Sequence, residues 1–349
     1  MTKVEEKKFK INPKIVGLIV SSTVLLGVFA FGFAEWKLRR VEHDVLIYRD
    51  SADPLLRFEP IPSVEGVLNS ADVRLNSAGF RDDDYPAEKP AGCRRLIVVG
   101  DAQAFGRGVS RSAVFTERMK TRLVPGCEVI NASVNAYNAD QELRWMETRV
   151  VPFRPDVVLW MVSSDDFETL PPFMLSHMAR LKNSLREKSL VARYFMQASF
   201  RKKARSPRYQ QHVRTGFWVA EAYAAEESGS ESRIPPAIQG KANAVIQQGG
   251  ALAKLHGFRL IVLYVPRLDR YHEIEPAPED VVRRDALEMA CRAQSIPFWD
   301  ASASLATPHP LYHLVEVDSP YLNETGHQLL ADFVCQSMKK ERGLELCRK

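Results

Sequence analysis

The chain has 349 residues, is 45% hydrophobic and 26% charged, and carries a formal net charge of +5. That length allows one large domain or two smaller ones with a sizeable core, and the composition excludes a disordered or collagen-like chain. The mild positive charge, with no zinc-finger spacing, RNA-binding aromatic signature or P-loop, gives no sign of a nucleic-acid partner or a nucleotide cofactor.

Residues 1–14 hold Lys3, Lys7, Lys8, Lys10 and Lys14, and an uncharged run from Ile15 to Ala34 follows. Twenty apolar residues make a helix of about 30 Å, the hydrocarbon thickness of a bilayer. Only Ser21, Ser22 and Thr23 interrupt the run, and their hydroxyls can bond back to helix carbonyls. A cleaved signal peptide is the rival reading, but its apolar core is normally about 7–15 residues. We therefore expect an uncleaved signal-anchor over 15–36, with Trp36 at the interface. The lysines place 1–14 in the cytoplasm and the remainder outside it.

Residues 37–92 are rich in Pro, Asp, Asn and Ser and read as an irregular lead-in packed on the domain edge. From 93 to 342 short apolar runs alternate with helical spacing. Strands are expected at Arg95–Gly100, Glu128–Asn131, Asp156–Val162, Arg259–Val265 and Ile296–Trp299. Helices are expected at Val114–Leu123, Asp140–Val150, Ala237–Leu255, Glu279–Ala293 and Glu324–Lys339, before a short tail, 343–349. Continuously apolar strands alternating with helices imply a parallel sheet covered on both faces, a three-layer α/β/α sandwich. In such sheets ligands bind beyond the carboxyl ends of the strands.

Residues 171–235 break this rhythm. Pro171 to Thr215 holds eleven Lys/Arg against one acid, including Arg201, Lys202, Lys203 and Arg205. An inserted basic helical cap is expected there. It is either a solvated face or a patch that meets anionic lipid headgroups or another partner. The five cysteines have no metal-ligand spacing; Cys335 with Cys347, and Cys93 with Cys127, are the pairs that could meet in an oxidising compartment, and buried free thiols are the alternative.

Four blocks, in order, carry a resemblance: Asn76–Arg81 with Arg94–Gly106, Val129–Glu142, Arg154–Asp166, and Asp318–His327. Together they resemble the SGNH/GDSL hydrolases over about residues 70–340. The resemblance implies a five-stranded, flavodoxin-like parallel sheet. It also implies an acyl-ester chemistry built from a Ser nucleophile, a Gly N–H and an Asn side chain for the oxyanion, and a His held by an Asp. In this chain the nucleophile position is Ala102, the oxyanion Gly position is Ser133, the Asn position is Asp165 and the His position is Tyr321, while Asp318 is retained.

Alanine cannot form an acyl-enzyme, and a phenol with an ordinary pKa of ~10 is a poor general base near neutrality. An ionised Asp165 would repel an oxyanion, whereas Ser133 is the mildest replacement because its backbone N–H remains. The expectation is a catalytically inactive domain at the cell envelope, binding a glycan, an acylated ligand or a protein partner. Asp101, Ser133, Ser164, Asp165, Asp318 and Tyr321 are the candidate ligand-binding residues. Membrane-anchored relatives in envelope polysaccharide acetylation suggest an integral-membrane acyltransferase nearby. Two alternatives stay open. One is an active esterase or O-acyltransferase with relocated residues, drawn from Ser133, Ser164, His309 and His313. The other is a scaffold subunit held by the helix and the basic cap. Asp101, Asp165, Asp166 and Asp318 could gather to hold a cation or sugar hydroxyls, or serve as hydrogen-bonded turn residues; His327 is read as a helix-start or packing residue.

Overall fold

A computed structural model describes residues 13–38, 47–68, 71–164, 166, 191, 234–271, 275–306, 313–314, 321–341, 343–344 and 346. Asp165, Asp318, His309, Cys347 and the Arg201–Arg205 cluster lie outside the described residues. The chain divides into two units, one holding the N-terminal helix and one holding the α/β domain.

Helix α1 spans Pro13–Leu38. At 1.5 Å per residue its 26 residues reach about 39 Å. Among the described residues it is the one helix long and apolar enough to cross a membrane. Its large apolar side chains are exposed along the whole run from Ile15 to Phe33. Ser21 Oγ donates to the Leu18 carbonyl at 3.0 Å and Thr23 Oγ1 to the Ile19 carbonyl at 2.8 Å, so these hydroxyls cost the apolar surface nothing.

The lead-in is more ordered than its composition suggests. Strands β1 (Tyr48–Asp50) and β2 (Phe58–Pro60) form one antiparallel pair, and β3 (Glu65–Leu68) and β4 (Ala71–Arg74) form a second. They are tied into the domain from within. Leu56 and Phe80 join the core beneath the sheet, Gln141 Nε2 donates to the Leu56 carbonyl at 2.7 Å, and Tyr137 Oη donates to the Phe58 carbonyl at 2.6 Å.

The five expected strands appear as β5 (Arg94–Val99), β6 (Cys127–Asn131), β7 (Val157–Val162), β8 (Arg259–Tyr264) and β9 (Phe298–Asp300). They pair in the order β6-β5-β7-β8-β9, all parallel. Between and after them run α2 (Ala102–Phe105), α3 (Phe115–Lys120), α4 (Ala139–Trp145), α5 (Pro236–His256), α6 (Pro278–Ala293), α7 (Ser302–Ala306) and α8 (Glu324–Lys340). Helix α4 starts on a reciprocal capping box between Asn138 and Gln141, and a π-turn extends it through Val150.

Successive strand residues serve opposite faces, as the period of two requires. Leu96, Val98, Val129, Leu159 and Ile261 pack with α3 and α8. Ile97, Val99, Ile130, Trp160 and Val262 pack with α4, α5 and α6. On that second face α5 comes very close: a Cβ on Gly249 would lie 2.9 Å from the Trp160 ring. The buried indole N–H of Trp160 donates to Glu142 Oε2 at 2.7 Å. The register sets Cys127 opposite Arg94, and Cys93, Cys127 and Cys291 are not in disulfides; Cys93 and Cys127 therefore do not pair.

Candidate functional site

The carboxyl ends of β5, β6 and β7 meet where the sequence places the site. Strand β5 leaves the sheet through Gly100, whose position is too crowded for a side chain: a Cβ there would sit 2.8 Å from the Met161 carbonyl oxygen. Asp101 follows as the N-cap of α2 and its Oδ1 accepts the Gln103 N–H at 2.9 Å. Ala102 is the first residue of that helix and is 4% exposed. Only a methyl group stands where the resemblance requires a nucleophile.

The second strand end is fastened rather than open. Ser133 is buried, and its backbone N–H donates to the Asn131 side-chain oxygen at 3.1 Å. The Asn131 amide in turn donates to the Ala104 carbonyl at 2.9 Å. The N–H that the sequence left available for an oxyanion is therefore already committed inside the protein. Ser133 is thus a less mild replacement than its residue type implies. Val134 N–H donates to the Gly100 carbonyl at 2.9 Å, which locks the two strand ends together. Two residues on, Ala136 has φ of +69°, a left-handed conformation that costs a non-glycine residue about 1–2 kcal/mol.

At the third strand end, Asp166 accepts the Ser163 N–H at 2.6 Å and closes a turn, as Asp101 does at the first. Ser164 is fully buried and its hydroxyl has no hydrogen-bond partner. Two further buried groups close to the strand ends are unsatisfied: both polar atoms of the Gln103 amide and the Asn135 side-chain oxygen. Among the described residues no three His, Cys, Asp or Glu gather as a metal-holding group.

Tyr321, at the position of the general base, is held by an arginine. Its hydroxyl oxygen accepts Arg107 Nη1–H at 2.8 Å, and the guanidinium carbon lies 4.7 Å from the ring centre. A phenol oxygen bonded to a cation is a poor acceptor for another group's proton. The lead-in reaches the same region: Tyr48 Oη accepts the Asn135 N–H at 3.1 Å. Burial drives the Tyr48 phenol far above its ordinary pKa, against that hydrogen bond and the positive charges of Arg107 and Arg81, so it is a neutral hydroxyl.

Two histidines near the last helix are buried, His327 and His313. His327, in the first turn of α8, stacks on Phe115 with ring centres 6.2 Å apart, and its Nδ1 accepts the Phe115 N–H at 3.4 Å. Burial, reinforced by the positive Arg81 and Arg118, pushes it down to about 3. His313, one of the candidates for a relocated base, is 2% exposed.

Sequence reading missed Arg107, Gln103, Asn135 and Tyr48. Arg107 directly follows the first block, and a charged residue at that point was a usable signal. Tyr48 carried none, because it reaches the site only through a contact across 87 positions.

The sheet order places the second strand at one edge, beside the first, and the described parts of the four blocks lie at strand ends or lead into helices in that frame. The fold is a three-layer α/β/α sandwich on a five-stranded parallel sheet. No family model and no curated protein matches the chain. Among solved structures it is similar to a lipase/acylhydrolase from Enterococcus faecalis, with 14% identity over 71% of this chain and 96% of that one, at a TM-score of 0.41. An aryl esterase from M. smegmatis is 12% identical over 71% and 99% of the two chains, at 0.42. A variant of an acetyl-xylooligosaccharide esterase from Geobacillus is 14% identical over 71% and 95%, at 0.41. Nothing about chemistry follows from likenesses this distant.

Proposed function

We propose that this chain is a membrane-anchored SGNH/GDSL-like protein that does not hydrolyse acyl esters. In this reading its strand-end residues bind a glycan on the outer face of a bacterial inner membrane. The observation that carries the proposal is Ala102 in the first turn of α2, where a nucleophile would have to stand. The other replacements act in the same direction. The Ser133 N–H is spent on Asn131, and the Tyr321 oxygen is spent on Arg107. Loss of one oxyanion donor alone costs on the order of 10²–10³ in rate.

The polar groups left unsatisfied favour a glycan. Gln103, Asn135 and Ser164 are neutral amides and a hydroxyl, and they follow three adjacent strands, β5, β6 and β7. Each buried polar atom without a partner costs about 1–3 kcal/mol. A ligand rich in hydroxyls both donates and accepts, and recovers that cost when the strand ends open to admit it, since each of these atoms is closed to solvent in the free chain.

Screening the full chain in detergent against a glycan array tests this. We expect saturable binding of at least one oligosaccharide. Ala102→Trp crowds the strand ends and abolishes it. Gln103→Leu weakens it while stability stays level or rises, because no protein hydrogen bond is lost. Binding that survives Ala102→Trp, or an array with no bound glycan, refutes the proposal.

A further inference from the structure

A cavity lies away from the strand ends, between the lead-in and the stretch running from α4 toward β7. Its volume is about 370 Å³, within the range of small-molecule sites. One wall comes from β2 and the chain just after it, and the opposite wall from Trp145 through Phe153. The Phe153 carbonyl accepts a hydrogen bond from Arg95 at the start of β5, so this wall reaches the amino end of the sheet.

The mouth carries a fixed arrangement of charge. Glu59 Oε1 accepts from Arg49 Nε at 3.0 Å and from Arg49 Nη2 at 2.7 Å. Glu59 Oε2 accepts from Arg149 Nη2 at 3.1 Å. The carboxylate is 12% exposed, whereas the two arginines are 52% and 47% exposed. Burial raises the Glu59 pKa, but the hydrogen bonds from Arg49 and Arg149 outweigh it and hold the group ionised. One carboxylate between two guanidiniums leaves one positive charge. Among the described residues, the Nη1 of Arg49 and the Nε and Nη1 of Arg149 make no hydrogen bond, and the Arg149 guanidinium lies 5.9 Å from the Trp145 ring centre. The nearby Arg144 does not add to this excess, since Asp53 and Glu147 neutralise it.

The remaining lining is largely apolar. Pro60, Pro62, Pro152 and Phe153 form flat walls with no charge. Guanidiniums pair with carboxylates through paired N–H bonds, and a single surplus charge matches a mono-anion better than a dianionic phosphate. Proline and aromatic walls suit the C–H face of a sugar ring.

We propose that this cavity is a ligand site, separate from the strand ends, that takes a sugar bearing one carboxylate, a uronic acid unit. Glu59 already takes two N–H groups of Arg49 and one of Arg149, so it competes with the ligand's carboxylate for them.

Titration of the full chain in detergent with galacturonate, followed by tryptophan fluorescence, tests the site. Saturation is expected by about 10 mM, a range that would reveal even a millimolar Kd. Glucose and inorganic phosphate should bind at least about tenfold more weakly, and added salt should weaken galacturonate. Combining Arg49→Gln with Arg149→Gln should cost at least about tenfold in Kd. Glu59→Gln removes the competing carboxylate and should tighten binding, which keeps the test decisive if the double variant fails to fold. Ala102→Trp should leave the titration unchanged. The proposal is overturned by absence of saturation, by equal affinity for glucose, or by weaker binding in Glu59→Gln. Loss of binding in Ala102→Trp would assign the ligand to the strand ends instead and would equally overturn it.

Discussion

Arg81 is the residue whose removal should most disturb the site without touching its lining. It is 3% exposed and its guanidinium donates to four backbone carbonyls. Nη1 reaches Phe105 at 2.8 Å and Gly106 at 2.5 Å, while Nη2 reaches Asp72 and Val109, each at 2.8 Å. Burial pushes its pKa down to about 10, which still leaves it cationic at neutral pH. It therefore clamps β4 and the loop that presents Arg107. Arg81→Met strips all four carbonyls of their donor. If water reaches two of them, the other two cost about 1–3 kcal/mol each, or about 4 kcal/mol in total. At about 2–4 °C per kcal/mol for a domain of this size, the midpoint falls by about 10 °C. Arg81→Lys keeps the charge, but its donors radiate from a single atom, so about half the loss should remain. Thermal unfolding of the full chain in detergent measures both. An Arg81→Met midpoint within about 2 °C of the native one would refute the clamp.

Three further outcomes follow from the same structure. The folded protein keeps His327 neutral down to about pH 3, whereas the unfolded chain takes up that proton below its ordinary value of about 6.5. Stability from this group is therefore lost as pH falls through that window, by up to about 1.4 kcal/mol per pH unit, and His327→Phe should remove that part of the slope in denaturant titrations run from pH 7 to 4. Asp82 is fully buried, accepts the Asn131 N–H at 2.8 Å and pairs with Lys120. Lys120→Met should cost about 3 kcal/mol in urea unfolding, and adding Asp82→Asn should recover part of it, because a neutral amide needs no counter-charge. Gly100→Ala should lower stability by about 2 kcal/mol, since the Met161 carbonyl cannot move aside.

The sheet was legible because its strands are continuous apolar runs, such as Leu-Ile-Val-Val before Gly100 and Val-Val-Leu-Trp-Met-Val before Ser163. Parallel strands buried on both faces show this pattern regardless of what surrounds them. The lead-in ladders were not legible, because strands of three or four residues show too little alternation to stand out from turns. The replacements at Ala102 and Tyr321 were visible as residue types. What Tyr321 does was not, because its partner Arg107 lies 214 positions away. The capture of the Ser133 N–H was within reach, since Asn131 is only two residues earlier and Asn side chains often bond backbone at that offset.

The central claim is that the strand-end chemistry of the fold is gone. Hydrolysis of short-chain p-nitrophenyl esters by the full chain in detergent, beside its Ala102→Ser variant, tests it most directly. The account predicts no turnover above the uncatalysed rate in the native chain. It predicts none in the variant either, because the Tyr321 oxygen stays bonded to Arg107 and the Ser133 N–H is already spent. Saturable turnover by the native chain would contradict it and would place catalysis on other residues.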